Sequence, residues 1–302
     1  MSDNGVENEH LFVICGNSGH MVVISALGTA GSAVKRNPIL FLIVGAFGLL
    51  QLPGLLAQSI NPLLGSFVSL GMSGVLLILA PFFFGGVIAM ANESIDGSTS
   101  VDTLLAEGKD NYVSIFLVYL GLFAFYLVLG LVTAVVFAVG GAFVFSFGSG
   151  GGGVGASPAI LAAVAVVGLL GALVYLGVVF FTQFFAHAIV LDGVGAVDGV
   201  KRSVSAVRGN LLTVFGYNLI TGIVGGGVGL LAGVISILST PSFATPPGAT
   251  APTTQIAGSV PTIGTVGAVG LTLVVVLLSA LFGGVFAVYS TVVYRSIRSP
   301  VS

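Results

Sequence analysis

Long apolar stretches separated by short polar segments are the dominant pattern of this chain. Six stretches are long enough to cross a bilayer, because a helix needs about 20 residues to span the hydrocarbon core. They cover residues 38–58, 66–92, 112–140, 158–191, 211–238 and 263–294. The pattern therefore predicts an all-α, polytopic integral membrane protein with six transmembrane helices.

Composition supports the membrane class. Of the 302 residues, 56% are hydrophobic and only 6% are charged. Soluble domains carry about 25% charged residues, so this chain cannot build a water-exposed surface of the usual kind. The formal net charge of −2 gives no reason to expect nucleic acid as a partner. The single cysteine, Cys15, excludes an internal disulfide and a cysteine-based metal site.

The positions of the charges predict an orientation. All eight Lys and Arg residues lie before spans one, three and five, or after span six, and the ten acidic residues lie on the same side. The opposite connections, 58–65, 148–157 and 239–262, contain no Lys or Arg. The positive-inside rule then predicts a multi-pass protein of the cell membrane with both termini in the cytoplasm.

A polar phrase recurs where alternate spans begin. The stretches "SAVKRN" (32–37) and "SAVRGN" (205–210) lie at an offset of 173, and "DGSTSVD" (96–102) matches "DGVGAVD" (192–198) at an offset of 96. The copy before span three ends in "GKDN" (108–111). This similarity predicts one six-span domain over 21–302, built from three repeats of an interfacial helix followed by a helical hairpin.

The short helix before each hairpin is predicted to be amphipathic. In one copy, Val197, Val200, Val204 and Val207 form a stripe, and polar and basic residues fill the other faces. Such a helix lies along the inner leaflet or packs as a cytosolic cap on the ends of the spans, and the sequence leaves both open. In either position, basic residues at the membrane interface are expected to contact lipid phosphate. These are Lys35, Arg36, Lys109, Lys201, Arg202 and Arg208.

Residues 1–20 form a separate segment. They contain three acidic residues, no Lys or Arg, and an apolar core, "LFVIC", that is too short for a signal peptide. We interpret them as a disordered tail or as a mis-assigned start.

Candidate chemistry is sparse, and we predict no catalytic, cofactor-binding or metal residue. No Asp, Glu, Lys or Arg lies well inside a predicted span, although such residues usually mark proton relays and ion pathways. Three polar residues at a similar depth, Tyr119, Gln183 and Asn218, form a candidate polar pocket open to the cytoplasm. Hydrogen bonding between helices is the alternative interpretation of these three residues.

Two further features are expected to be structural. His187 lies near the end of the fourth span, where a single histidine usually packs between helices or at the interface. Gly225, Gly229 and Gly233 form a ridge of small residues on span five. Such ridges let helix backbones approach closely, so we expect this one to pack within the protein first and to form a dimer face second.

The sequence resembles a broad prokaryotic family of six-span membrane proteins of unknown function. The resemblance rests on "AVKRNPILFLI" at the first span and on Asp192-Gly193, Arg202-Ser203 and Arg208-Gly209-Asn210 within 188–220. Members include the membrane domain that accompanies some glycerophosphodiester phosphodiesterases, but the catalytic domain of those enzymes has no counterpart here. The Thr- and Pro-rich connection 239–262 is similar to that of haloarchaeal members.

Two classes of function fit these features. A non-enzymatic scaffold or a membrane domain that interacts with lipids or partners is favoured, because no charge is buried in the predicted spans. Its expected partners are membrane lipids and a membrane protein, with neither nucleic acid nor a metal. The alternative is a transporter or permease for a small neutral or amphiphilic solute. An enzyme is the least favoured class, since no nucleophile with a base can be assembled.

Overall fold

The described residues form helices joined by short turns. A computed structural model describes residues 19–50, 52–54, 57, 61–148, 158–239 and 265–298. Every regular element in these ranges is a helix, which confirms the all-α prediction for them. The helices are α1 Gly19–Arg36, α2 Ile39–Leu49, α3 Pro62–Asp96, α4 Val101–Asp110, α5 Tyr112–Gly148, α6 Pro158–Thr182, α7 Phe185–Asp192, α8 Ala196–Gly209, α9 Leu211–Ser239 and α10 Thr265–Ile297. The segment 1–20 lies almost wholly outside the described residues.

Four helical segments are long and apolar enough to cross a membrane. Within the described ranges they are Leu63–Asp96, Tyr112–Val139, Ala162–Asp192 and Val276–Ile297. They overlap the second, third, fourth and sixth predicted spans. In the most apolar 18-residue windows of Tyr112–Val139 and Ala162–Asp192, no residue is buried within the protein. Apolar surface of this extent is stable in lipid and not in water, so the protein is membrane-embedded.

The first and fifth predicted spans do not reach spanning length in the described residues. Helix α2 has 11 residues, which corresponds to about 16 Å at 1.5 Å per residue. A fifth span results only if Val23–Arg36 and Ile39–Gly54, which meet at 88°, are counted together. In α9 the apolar segment within the described residues is Leu211–Gly227, which is shorter than a span. Six spans therefore remain a prediction.

The core lies at one end of the bundle, which we call the charged end because Asp96, Asp192, Arg295 and Arg298 lie there. Helix α1 contributes the buried side chains Val23, Ala26, Ala30, Ala33 and Val34, and these pack with residues of α3, α9 and α10. Their spacing of three, four and seven residues places them on one helical face. Small alanines on that face let α1 pack closely across the ends of longer helices.

Glycines allow the same close approach between α3 and α4. A Cβ atom at Gly86 would lie 2.5 Å from the Leu104 carbonyl oxygen, and one at Gly108 would lie 2.8 Å from the Phe82 carbonyl oxygen. Real Cβ atoms essentially never make contacts this short, so both positions require a residue without a side chain. Short amphipathic α4 is thereby fixed against the end of α3.

Helix α8 differs from the predicted valine stripe. Its buried residues are Gly199, Ser203, Ala206 and Val207, whereas Val197 is 68% exposed and Val200 and Val204 are half-buried. The smaller residues Gly199, Ser203 and Ala206 form the face that packs against α7 and the end of α6. The four valines therefore do not all lie in the same environment. This face is a cap on the helix ends, and it leaves one apolar flank uncovered.

The glycine ridge on α9 also differs from the prediction. Among the described residues, a Cβ atom at Gly225, Gly229 or Gly233 would meet nothing within 4 Å. The expectation that these three glycines pack within the protein is therefore wrong for the described residues, and a dimer face stays a prediction. Glycines at which a neighbouring helix does approach closely include Gly86 on α3, Gly108 on α4 and Gly199 on α8.

Candidate functional site

Ion pairs and polar contacts join the ends of three helices. Arg295 of α10 binds Asp96 at the end of α3, with 2.7 Å between its Nη2 and the Asp96 Oδ2. Arg36, the last residue of α1, donates to the carbonyl oxygen of Ile95 at 3.1 Å. Carbonyl groups at a helix end lack intrahelical partners and carry partial negative charge, so a guanidinium there is favourable.

Asp192, the last residue of α7, is the centre of a second network. Its side chain is only 4% exposed, and Tyr294 Oη donates to its Oδ2 at 2.7 Å. Arg202 Nη1 lies 3.1 Å from the same oxygen, and Arg298 Nη1 lies 3.2 Å from Oδ1. A buried carboxylate without such partners would be strongly unfavourable. The network therefore ties α7, α8 and the end of α10 together.

Three asparagines occupy the junctions between an amphipathic helix and the apolar helix that follows. Each side-chain amide donates to the carbonyl oxygen four residues earlier, at 3.0–3.1 Å. The backbone carbonyl of each asparagine in turn accepts a hydrogen bond from the next helix. The three residues are Asn37, Asn111 and Asn210. Each one therefore closes one helix and opens the next.

Two of these asparagines also bind a third helix end. Asn37 Nδ2 donates to the Gly97 carbonyl oxygen at 3.0 Å, directly after α3, and Asn210 Nδ2 donates to the Ile297 carbonyl oxygen at 3.1 Å, the end of α10. The second bond of Asn111 stays within α4 and reaches the Glu107 carboxylate at 3.0 Å. Equivalent side chains thus make equivalent local bonds but differ in their longer-range partners.

The predicted fourth span is interrupted next to α8. Helix α6 ends at Thr182 and α7 begins at Phe185, and the backbone at this break is completed by Ser203 of α8. Ser203 Oγ accepts from the Phe184 amide at 3.1 Å and donates to the Phe181 carbonyl at 2.9 Å. Because the hydroxyl replaces two missing helical partners, it supports the interruption directly.

A buried cluster of aromatic rings and polar groups lies beside this break. His187 Nε2 is 3.0 Å from Ser290 Oγ, and the serine hydroxyl donates to the Ala287 carbonyl oxygen. Nε2 is therefore assigned as the N–H donor and Nδ1 as the acceptor. Among the residues that the structure describes, neither His187 Nδ1 nor the hydroxyl of Tyr289 has a hydrogen-bond partner, although both are buried.

Comparison with known proteins identifies a family. Residues 21–297 match the domain of unknown function DUF7847. The chain belongs to this family. No curated protein and no solved structure matches the chain. Membership in DUF7847 agrees with the expected family of unknown function, whereas the haloarchaeal source and the phosphodiesterase neighbour remain expectations.

In this DUF7847 domain the candidate polar pocket is not joined by hydrogen bonds. Gln183 Nε2 donates to the Phe180 carbonyl oxygen at 2.9 Å, and Asn218 Nδ2 donates to the Val214 carbonyl oxygen at 2.9 Å. The ring of Tyr119 packs edge-on against Phe185, with 5.5 Å between centroids. Both amides thus bond to their own helices. The pocket stays a prediction.

Of the predicted interface residues, Arg202 belongs to the network around Asp192, and Arg36 binds the end of α3. Five of the six basic residues are exposed, and Arg202 is half-buried. Sequence reasoning missed the roles of Asp192, Ser203, Tyr294 and Arg298. The Asp-Gly of the recurrent "DGVGAVD" was a usable signal, because an acidic residue at a helix end invites a basic partner. Nothing in the sequence pointed to Tyr294 or Ser203.

Within the described ranges, no group of three or more His, Cys, Asp or Glu could hold a metal ion.

Proposed function

We propose that this DUF7847 protein is a non-enzymatic, multi-pass protein of the cell membrane that interacts with membrane lipids and a membrane-protein partner through its charged end. It has six spans in three repeats of an interfacial helix and a hairpin, with both termini in the cytoplasm. The observation on which this proposal rests is that each of the three amphipathic helices packs one face on the bundle and leaves an apolar flank exposed.

The matching burial of α1 and α8 supports a repeated unit. At the offset of 173, Ala26, Ala30, Ala33 and Val34 correspond to Gly199, Ser203, Ala206 and Val207, and all eight are buried. Ile24 corresponds to Val197, and these two are 65% and 68% exposed. The two helices thus present the same faces to the protein and to the exterior. The common local bonds of Asn37, Asn111 and Asn210 extend the likeness to α4.

The exposed flanks support a position in the headgroup region. Ile24 and Leu27 on α1, Val101 and Leu105 on α4, and Val197 on α8 are exposed apolar residues. Each helix also carries exposed basic residues near its end, such as Lys35, Lys109 and Arg208. The 88° bend after α1 has the geometry of a surface helix that turns into the bilayer. An apolar flank beside basic residues is what an interfacial helix requires.

Several of the described charged residues form ion pairs between helix ends, and these contacts support a non-enzymatic role. Asp96 and Arg295 join α3 to α10, and Asp192 joins α7 to α8 and α10. These ionisable groups hold helix ends together, whereas a catalytic acid or base has to meet a substrate.

Site-directed spin labelling tests the interfacial position. In a Cys15→Ser background reconstituted in phospholipid vesicles, we expect labels at Ile24→Cys, Val101→Cys and Val197→Cys to collide with oxygen more than with a water-soluble nickel complex. The matched control is Ser205→Cys, an exposed polar position on α8, which should show the opposite preference. Equal accessibilities at 197 and 205 would instead favour a cytosolic cap.

A transporter or permease for a small neutral or amphiphilic solute is the second candidate. It is favoured by the buried, unpartnered His187 Nδ1 and Tyr289 hydroxyl beside an interrupted helix, since interrupted helices line solute sites in many transporters. Osmotic swelling of proteoliposomes in neutral solutes tests it. Swelling faster than in protein-free vesicles, and slowed by His187→Ala, would support transport over the scaffold role.

A further inference from the structure

Arg202 and Arg298 share a single carboxylate. Both lie close to the oxygens of Asp192, at 3.1 and 3.2 Å, and the carboxylate is also fixed by Tyr294. Because a carboxylate group is small, the two guanidinium groups are held near each other. Arg202 comes from α8 and Arg298 directly follows α10, so the pair exists only when the two elements meet.

Within the described residues, the two arginines keep unused binding capacity. Their side chains remain 38% and 36% exposed, although Asp192 itself is covered. Each guanidinium has several N–H donors, of which the carboxylate occupies only one face. Two positive charges against one negative charge leave an excess positive charge at this position. A second oxyanion would complete both the charge balance and the hydrogen bonds.

The related pair at the end of α3 lacks this excess. Among the described residues, Asp96 forms an ion pair with Arg295 alone, and its carboxylate is 68% exposed. The two "DG" stretches differ at the decisive position: Arg202 follows Asp198 by four residues, but Ala106 follows Asp102 by four. A neutral, exposed pair has no need of a further anion. Arg295 therefore offers a matched control on the same helix as the proposed site.

We propose that Arg202 and Arg298, positioned by Asp192 and Tyr294, form a binding site for a phosphate group, with the headgroup of an anionic membrane phospholipid as its source. Arginine suits this ligand because its planar fork binds phosphate oxygens in pairs. The site deepens the proposed function and rests on it, because a lipid phosphate reaches Arg202 only if α8 lies in the headgroup region. The exposed Val197 on the same helix favours that depth.

The test measures lipid affinity of the full chain purified in a non-ionic detergent. Dioctanoyl phosphatidylglycerol and inorganic phosphate are titrated separately and followed by native mass spectrometry. Each basic residue near an anionic lipid is worth about 1 kcal/mol, or about fivefold in affinity. We therefore expect R202Q/R298Q to bind the phosphatidylglycerol about 25-fold more weakly, whereas the single variant R295Q, which lies outside the site, should weaken binding by no more than about fivefold.

The lysine variant R202K/R298K covers the case in which the glutamine variant fails to fold. It keeps both ion pairs with Asp192 but lacks the planar fork, so its affinity should fall by about threefold or more. An unchanged phosphatidylglycerol affinity in R202K/R298K, or equal losses in R202Q/R298Q and R295Q, would overturn the proposal. Binding of inorganic phosphate alone, with the same dependence on both arginines, would support the phosphate site and identify free phosphate as its ligand.

Failure of the site and failure of the proposed function have different signatures. If the label at Val197→Cys remains exposed to oxygen while affinity does not depend on Arg202 and Arg298, only the phosphate site is lost. If that label is exposed to the nickel complex, the interfacial position itself fails.

Discussion

Ser203 shows how much a small side chain contributes at the residue scale. Its hydroxyl accepts a hydrogen bond from the Phe184 amide and donates one to the Phe181 carbonyl oxygen. Both backbone groups lie at the interruption between α6 and α7. Without it, a buried amide would lose its partner in surroundings that offer no water. The amphipathic helix α8 therefore completes the backbone of a neighbouring transmembrane segment.

We expect Ser203→Ala to destabilise the protein by about 1–3 kcal/mol, because a buried donor is left without an acceptor. Unfolding by sodium dodecyl sulfate in mixed micelles would measure the loss. The control is Ser205→Ala, since Ser205 is exposed on the same helix and should change stability by less than about 0.5 kcal/mol. Similar losses in the two variants would contradict the role of Ser203.

Junction asparagines explain how the elements are connected. The side chain of each stops an amphipathic helix, and its backbone carbonyl starts the next helix. Asn37 goes further, because it donates to Gly97 and accepts from the Thr99 amide at 3.0 Å. Asn111 has no such partner outside its own helix in the described residues. The same residue type thus fixes a helix turn in one place and joins distant elements in another.

Substitution of these two asparagines by alanine should separate the two uses. We expect Asn37→Ala to lower the free energy of unfolding by about 1–3 kcal/mol, because the buried Asn37 side chain loses three hydrogen bonds, two of them to Gly97 and Thr99 outside its own helix. Asn111→Ala should cost only about 0.5–1.5 kcal/mol, because its two hydrogen bonds both go to Glu107 within the same helix and the site is partly exposed. The same detergent titration compares them, and a larger loss for Asn111→Ala would argue against this assignment.

At the scale of the whole molecule, the described charged residues gather at one end. Asp96, Asp192, Arg295 and Arg298 interlock there, and the apolar helices extend from that end. This separation follows from the cost of burying charge in lipid, which confines ionisable groups to the ends of spans. Which side of the membrane the charged end faces follows from the positive-inside rule alone.

Cysteine labelling tests this orientation. In intact cells carrying a Cys15→Ser background, an impermeant thiol reagent should react with Pro62→Cys and Thr250→Cys and not with Ser205→Cys. Position 62 begins α3, position 250 lies outside the described residues, and position 205 lies on α8 at the charged end. Labelling at 205 from outside would reverse the proposed topology.

Sequence pattern alone determined the helical class, the membrane environment and the positions of the short amphipathic helices. These features depend on hydrophobic periodicity and on the cost of charge in lipid, which act locally and are readable from a linear chain. The recurrence of Asn37, Asn111 and Asn210 was equally visible, and all three make the same local hydrogen bond to the carbonyl oxygen four residues earlier. The number of spans was less accessible, because α1 and α2 bend by 88° instead of running straight.

Only the tertiary structure decided which side chains meet. Arg298 reaches Asp192 across more than a hundred residues, and Ser203 reaches a backbone gap that exists only where α6 stops. The valines of α8 and the glycines of α9 had the periodicity of a packed face, yet Val197 and Gly225 are exposed in the described structure. Periodicity shows which residues share a face. The shape of the neighbouring elements determines whether that face is covered, and this information is not local.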